Sequence, residues 1–170
     1  YSALAANMTA AGNLAIDSAS SLEVRSISIA NGSIAVNLSA GDLTINGPVA
    51  SRASLTNITL NASAGGIALG TSVGNITANV LDVRAQNDVS LSTNVATLVA
   101  NVTGGSFSAV ENNGLTIGAT GIRATNDVSV TVLAGNLDRT GAITAGAGDT
   151  ITLNVPGGDR KSTRLNSSHE

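Results

Sequence analysis

The chain contains no cysteine and no tryptophan, two prolines, one tyrosine, one phenylalanine and one methionine in 170 residues. Each shortage excludes something. Without cysteine there is no disulfide scaffold, no thiolate metal site and no cysteine nucleophile, and the compartment stays open because large exported bacterial proteins also do without it. With aromatic residues at 1%, a thick core filled by rings is ruled out. No apolar run approaches the roughly 18 residues of a membrane-spanning helix. Charge is scarce too, at 11% against 42% hydrophobic residues, which is the reverse of a disordered composition. What remains is a chain that folds around a thin interior of Ala, Val, Ile and Leu. A length near the usual size of one domain and this composition favour a solenoid.

The composition changes abruptly at Asp159. The stretch Asp159-Arg160-Lys161-Ser162-Thr163-Arg164-Leu165-Asn166-Ser167-Ser168-His169 holds the chain's one Lys and one His. Over all eleven positions it resembles the translation of a short-read sequencing adapter, so residues 159–170 are read as a non-native tail and carry no function. Three basic and two acidic residues fall in the tail, which leaves five Arg and nine acidic residues, a net charge of −4, in residues 1–158. Five scattered Arg and no Lys argue against a nucleic-acid partner. The start at Tyr1, without initiator Met or leader, reads as an internal piece of a longer chain.

Turn dipeptides of Gly, Asn and Asp punctuate the rest. They stand at Gly65-Gly66, Gly74-Asn75, Asn87-Asp88, Gly104-Gly105, Asn113-Gly114, Asn126-Asp127, Gly135-Asn136 and Gly148-Asp149. Several are 22 residues apart, with one shorter turn of 17. Superposing the copies puts Ile76, Leu115 and Leu137 in one column, and Val83 and Ile122 in another with Arg84 and Arg123 beside them. The nine residues from Val83 to Leu91 match those from Ile122 to Val130 at six positions. Less regular copies begin at Gly12, Asn31 and Gly41.

Within each copy, apolar residues alternate with Ser, Thr and Asn, as in Leu43-Thr44-Ile45 and Val128-Ser129-Val130, which is the pattern of half-buried strands. Gly or Asn interrupts nearly every ten residues, and each Gly would cost a helix about 1 kcal/mol. The reading is therefore all-β: residues 1–158 form a single-stranded parallel β-helix, or β-solenoid. It has about three short strands per coil of about 22 residues and about seven coils, roughly 34 Å long at about 4.8 Å per coil. In the copies at Gly104 and Gly148 the apolar residues Phe107 and Ile151 come one place late, so a one-residue strand bulge is expected there.

The phrases Gly41-Asp42-Leu43-Thr44-Ile45-Asn46-Gly47, Gly74-Asn75-Ile76-Thr77 and Asn126-Asp127-Val128-Ser129-Val130 resemble the repeat region of filamentous-haemagglutinin-type exoproteins, the large adhesins of bacterial two-partner secretion. The likeness covers most of residues 12–155. It implies a right-handed β-helical shaft at the bacterial surface, exported unfolded through an outer-membrane partner, with a host-cell or matrix receptor as the eventual ligand. The family's amino-terminal secretion domain is not in this sequence.

Candidate chemistry is sparse. Residues 1–158 contain no His, Lys or Cys, so no catalytic, cofactor or metal site is assigned, and the expected function is structural and adhesive rather than enzymatic. Asp88, Asp127 and Asp149 share the second position of their copies, which turn chemistry explains. A polysaccharide-cleaving pair of carboxylates remains the competing reading. Asp127 and Asp149, 22 residues apart, are expected as neighbours, and a bridging calcium ion is the third reading, although the calcium nonapeptide is only half matched, once, at Gly146-Ala147-Gly148-Asp149-Thr150. Arg84 and Arg123 are expected to pair with Asp88 and Asp127. The sequons at Asn7, Asn31, Asn37, Asn57, Asn61, Asn75 and Asn101 are read as turn and ladder residues, and Phe107 as filler of the shaft. Raw strand ladders at the two ends predict end-to-end self-association.

Overall fold

The alternation of apolar and small polar residues dictates strands with one buried side, as Leu22-Glu23-Val24 and Val128-Ser129-Val130 show: the outer two residues of each triplet are buried and the middle one is not. The computed structural model describes residues 2–51, 56–70 and 75–158 and the backbone of 160–162. Among them are seventeen strands, no helix, and parallel pairing throughout. The first coil holds β1 (Ser2–Ala11) and β2 (Leu14–Ser18), and the second β3 (Leu22–Asn31) and β4 (Ile34–Leu38). The third holds β5 (Leu43–Ile45), β6 (Val49–Ser51) and β7 (Asn57–Ala62), and the fourth β8 (Ile67–Leu69) and β9 (Ile76–Ala85). The fifth is one strand, β10 (Val89–Val102). The sixth holds β11 (Phe107–Glu111) and β12 (Leu115–Arg123), and the seventh β13 (Val128–Val132), β14 (Leu137–Arg139) and β15 (Ile143–Thr144). An eighth begins with β16 (Ile151–Asn154) and β17 (Arg160–Ser162), the latter inside the tail read as adapter-derived.

Stacking these coils builds a β-solenoid of about seven turns, with coils about 21 residues apart. On the first face Leu22, Leu43, Ile67, Val89, Phe107, Val128 and Ile151 stand one above the next. The second face carries Ile27, Val49 and Ile76 in its lower coils and Leu115 and Leu137 in its upper ones. The third runs through Leu14, Ile34, Ile58, Leu81 and Leu98. Ile76, Leu115 and Leu137 are all buried, as the repeat alignment requires, and Val83 and Ile122 both pair with Ala100.

Strands and faces do not correspond one to one. β10 runs around two corners without a break, pairing with β11 through Val89–Thr93 and with β12 through Thr97–Asn101. That is how the fifth coil closes in 18 residues, from Val89 to its partner Phe107. The expected one-residue strand bulges at Phe107 and Ile151 are absent: Val89–Thr93 and Val128–Thr131 pair with the coil above without a register shift. The additional residue is absorbed in the turn, so Gly105-Ser106 and Asp149-Thr150 are the true equivalents of Asn126-Asp127. The turn is free to lengthen because its residues face water, whereas a slip within the strand would turn every inward side chain outward.

The interior is one continuous aliphatic column. Phe107 is the largest fully buried side chain, and in the same coil Ala109 stands between Leu91 and Val130, so the ring's bulk is offset by a small neighbour. Burying each Val, Leu or Ile contributes about 1.5–3 kcal/mol, but only while a coil lies above and below. In the first coil Leu4, Met8, Leu14 and Ile16 are only partly buried, and at the other end Ile151 is 44% exposed.

Candidate functional site: a polar trough and an acidic corner

Outward positions of a strand repeat on every coil, so whatever the sequence places there forms a ladder. On the third face one such ladder reads Asp17, Asn37, Asn61, Arg84, Asn101, Arg123, Thr144. The sequon residues Asn37 and Asn61 are stacked neighbours in it, and Asn37 Nδ2 donates to Asp17 Oδ1 at 3.0 Å. Arg84 and Arg123 lie two coils apart with Asn101 between them, and all three are exposed. Arg84 pairs with Asp82 on its own strand, Nη2 to Oδ2 at 3.0 Å, and not with Asp88. Arg123 and Asp127 likewise form no pair. Residues two apart on a strand project from the same side of the sheet, whereas Asp88 and Asp127 lie beyond a corner.

A local excursion of the backbone shapes this face. Leu98 pairs with Ile117 and Ala100 with Ile122, so the four residues Gly118-Ala119-Thr120-Gly121 stand opposite Val99 alone. Gly118 permits the close seat, because a Cβ there would run into the Val99 and Thr97 methyl groups. Gly121 closes the excursion at φ +77°, in the left-handed region where glycine is favoured, with the Ala142 carbonyl against it. The excursion walls a trough of about 390 Å³ lined by Asp82, Arg84, Asn101, Thr120 and Arg123. On the other side of Arg123 a second hollow of about 540 Å³ lies over Thr103, Thr125 and Gly146.

At the corner before the first face, Ser21, Asp42, Gly66, Asp88, Ser106, Asp127 and Thr150 form a second ladder, each preceding one of the stacked apolar residues. Its carboxylates act between coils. Asp42 Oδ1 accepts the Gly66 N–H, Asp88 Oδ1 the Ser106 N–H and Asp127 Oδ1 the Thr150 N–H, each at 2.8 Å. In every case the donor is one full coil further along the chain, where local turn bonding was expected. Acidic residues alternate with neutral ones, so like charges are about two strand spacings, roughly 9.6 Å, apart. Asp149 is not stacked on Asp127, because the Val128–Ile151 register places Thr150 there. Among the described residues no three His, Cys, Asp or Glu side chains converge.

Glu111 is the functional-looking residue that the sequence reading missed. It is fully buried at the corner between the first and second faces. Its Oε2 accepts the Thr93 hydroxyl at 2.8 Å and the Val95 N–H at 3.1 Å, and its Oε1 accepts the Asn113 N–H at 3.1 Å. The chain leaves the strand path at Asn112–Gly114, and the carboxylate takes the place that a backbone carbonyl of that coil would fill for Val95. Burial raises its pKa above the ordinary 4.5, against the lowering effect of the Thr93, Val95 and Asn113 donors. The sequence signal was slight: Glu111 follows Phe107 and Ala109 at the spacing of inward residues.

No protein-family model, curated protein or solved structure matches the chain. Its functional reading therefore rests on this geometry.

Proposed function

We propose that residues 1–158 are a structural shaft segment of a large secreted or surface-exposed bacterial adhesin, which holds binding regions away from the cell. The observation that carries this reading is the unbroken aliphatic column, with each coil fastened to the next by strand pairing and by the Asp42, Asp88 and Asp127 clasps. A linear stack of this kind extends by adding coils without changing its cross-section, which suits a spacer. The resemblance of its turn phrases to filamentous-haemagglutinin-type repeats supplies the cellular context: export through an outer-membrane partner and a receptor on a host cell or matrix. That context is an argument from likeness and not from a site.

Antibody raised against this segment tests the reading on intact bacteria that carry the parent gene. Surface labelling that disappears on brief external proteolysis is expected, together with loss of labelling when the outer-membrane secretion partner is deleted. Labelling seen only after cell lysis would contradict it.

A further inference from the structure

We propose that the third face of coils four to six is itself a binding site, for an anionic glycan bearing carboxylates, laid along the solenoid axis across Arg84, Asn101 and Arg123. This goes beyond the spacer role and does not depend on it.

Charge is the first argument. The segment is acidic overall and has five Arg in residues 1–158, yet two of them occupy one outward ladder. Asp82, the one carboxylate lining either hollow, is already turned to Arg84, so the Arg123 guanidinium faces the trough without a counter-charge from its lining. A guanidinium presents paired N–H donors that match a carboxylate. Spacing is the second argument. Two coils at about 4.8 Å each set the two Arg about 10 Å apart, which is comparable to the disaccharide repeat of an extended glycan, so alternate sugars would meet a cation. Between and beside the cations stand the Asn101 amide and the Thr103, Thr120 and Thr125 hydroxyls, which both donate and accept and so suit sugar hydroxyl groups.

Other polyanions fit less well. The backbone of β9, β10 and β12 is paired on both sides, leaving no free edge for an acidic peptide to join as a strand. The trough has no aromatic ring on which a nucleobase might stack and no large apolar anchor for a protein surface. The Gly118–Gly121 excursion adds a wall on one side of the two Arg, and bulges of this kind commonly lie beside functional sites.

Titration calorimetry of the whole chain with polygalacturonate, at low and at moderate salt, tests the proposal. Saturable binding that weakens with salt is expected. The Arg84→Gln/Arg123→Gln double variant should bind at least tenfold more weakly with an unchanged melting temperature, while Arg25→Gln/Arg139→Gln, which removes the same charge elsewhere, should bind like the parent. Fully methyl-esterified polygalacturonate, identical except for its charge, should not bind. Absence of binding by the parent chain overturns the proposal, as does equal loss in the two double variants. Equal affinity for dextran sulfate would show unspecific attraction of polyanions and would overturn it as well.

Discussion

Glu111 shows what one residue does in a stack of this kind. Its carboxylate satisfies three donors on two coils, so truncation leaves the Val95 and Asn113 N–H groups and the Thr93 hydroxyl without their acceptor. At about 1–3 kcal/mol for each unsatisfied buried group, Glu111→Ala should lower unfolding stability in urea by at least about 3 kcal/mol. Glu111→Gln keeps one acceptor oxygen and should cost less. The pH dependence follows from burial, which makes the folded chain hold the Glu111 proton more tightly than the unfolded chain. In the window between the ordinary value of 4.5 and the raised folded value, the folded state binds more protons, so this residue's contribution falls as pH rises through it. Stability measured from pH 7 downwards should therefore improve in the parent relative to Glu111→Gln as that window is entered; a constant difference would contradict the burial. The Asp clasps are smaller in effect because they are exposed. Asp127→Ala, which frees the Thr150 N–H, should cost about 1 kcal/mol, and Asp127→Asn, which keeps an acceptor, about half as much. Thermal melts of the two variants distinguish this inter-coil bond from a purely local turn preference, under which both would behave alike.

At the scale of the element, strands were legible and corners were not. Alternation in Leu43-Thr44-Ile45 or Val128-Ser129-Val130 specifies which side chains go inward whatever happens around them, because a strand exposed on its apolar side has no alternative partner. Corners carry no such constraint. Nothing in Val89–Val102 announces that one strand rounds two corners, and the Asn and Asp turn dipeptides disclosed where the chain turns but not how many residues each turn consumes. For that reason the Asp127–Asp149 stack and the Arg84–Asp88 pair were misplaced: both depended on register across a corner. The excursion Gly118–Gly121 was similarly invisible, since its meaning lies in the coil beneath, where Val99 and Thr97 leave no room for a Cβ at Gly118. Gly121→Ala tests this element. The left-handed backbone and the nearby Ala142 carbonyl should make it destabilising by about 1–3 kcal/mol, and the amide exchange protection of Ile122 and Ala124 should fall first. Uniform loss across all coils would argue against a local element.

For the whole molecule, the composition was the most informative feature. A chain with one phenylalanine and one tyrosine has no means of filling a globular interior, whereas a column one side chain across needs only Val, Ile, Leu and Ala. The same economy makes stability collective. Residues that are buried in the middle coils are half-open in the first, where Leu14 and Ile16 have no coil beneath them. Both ends present unpaired strand ladders, the surface through which such a stack would join another of its kind. Function was less legible than fold, because the outward ladders are assembled from residues about 21 positions apart, and only an accurate register brings Arg84, Asn101 and Arg123 together.

Distances between spin labels along one outward ladder test the central claim most directly, and the absence of native cysteine makes the labelling specific. Thr44, Ser90, Ser129 and Thr152 occupy a single column on the first face, with Ser90 two, Ser129 four and Thr152 five coils from Thr44. With Thr44→Cys as the fixed site, backbone separations should grow linearly with coil number, at about 10, 19 and 24 Å. Distances that do not rise in step with the number of coils would contradict a chain wound repeatedly about one axis.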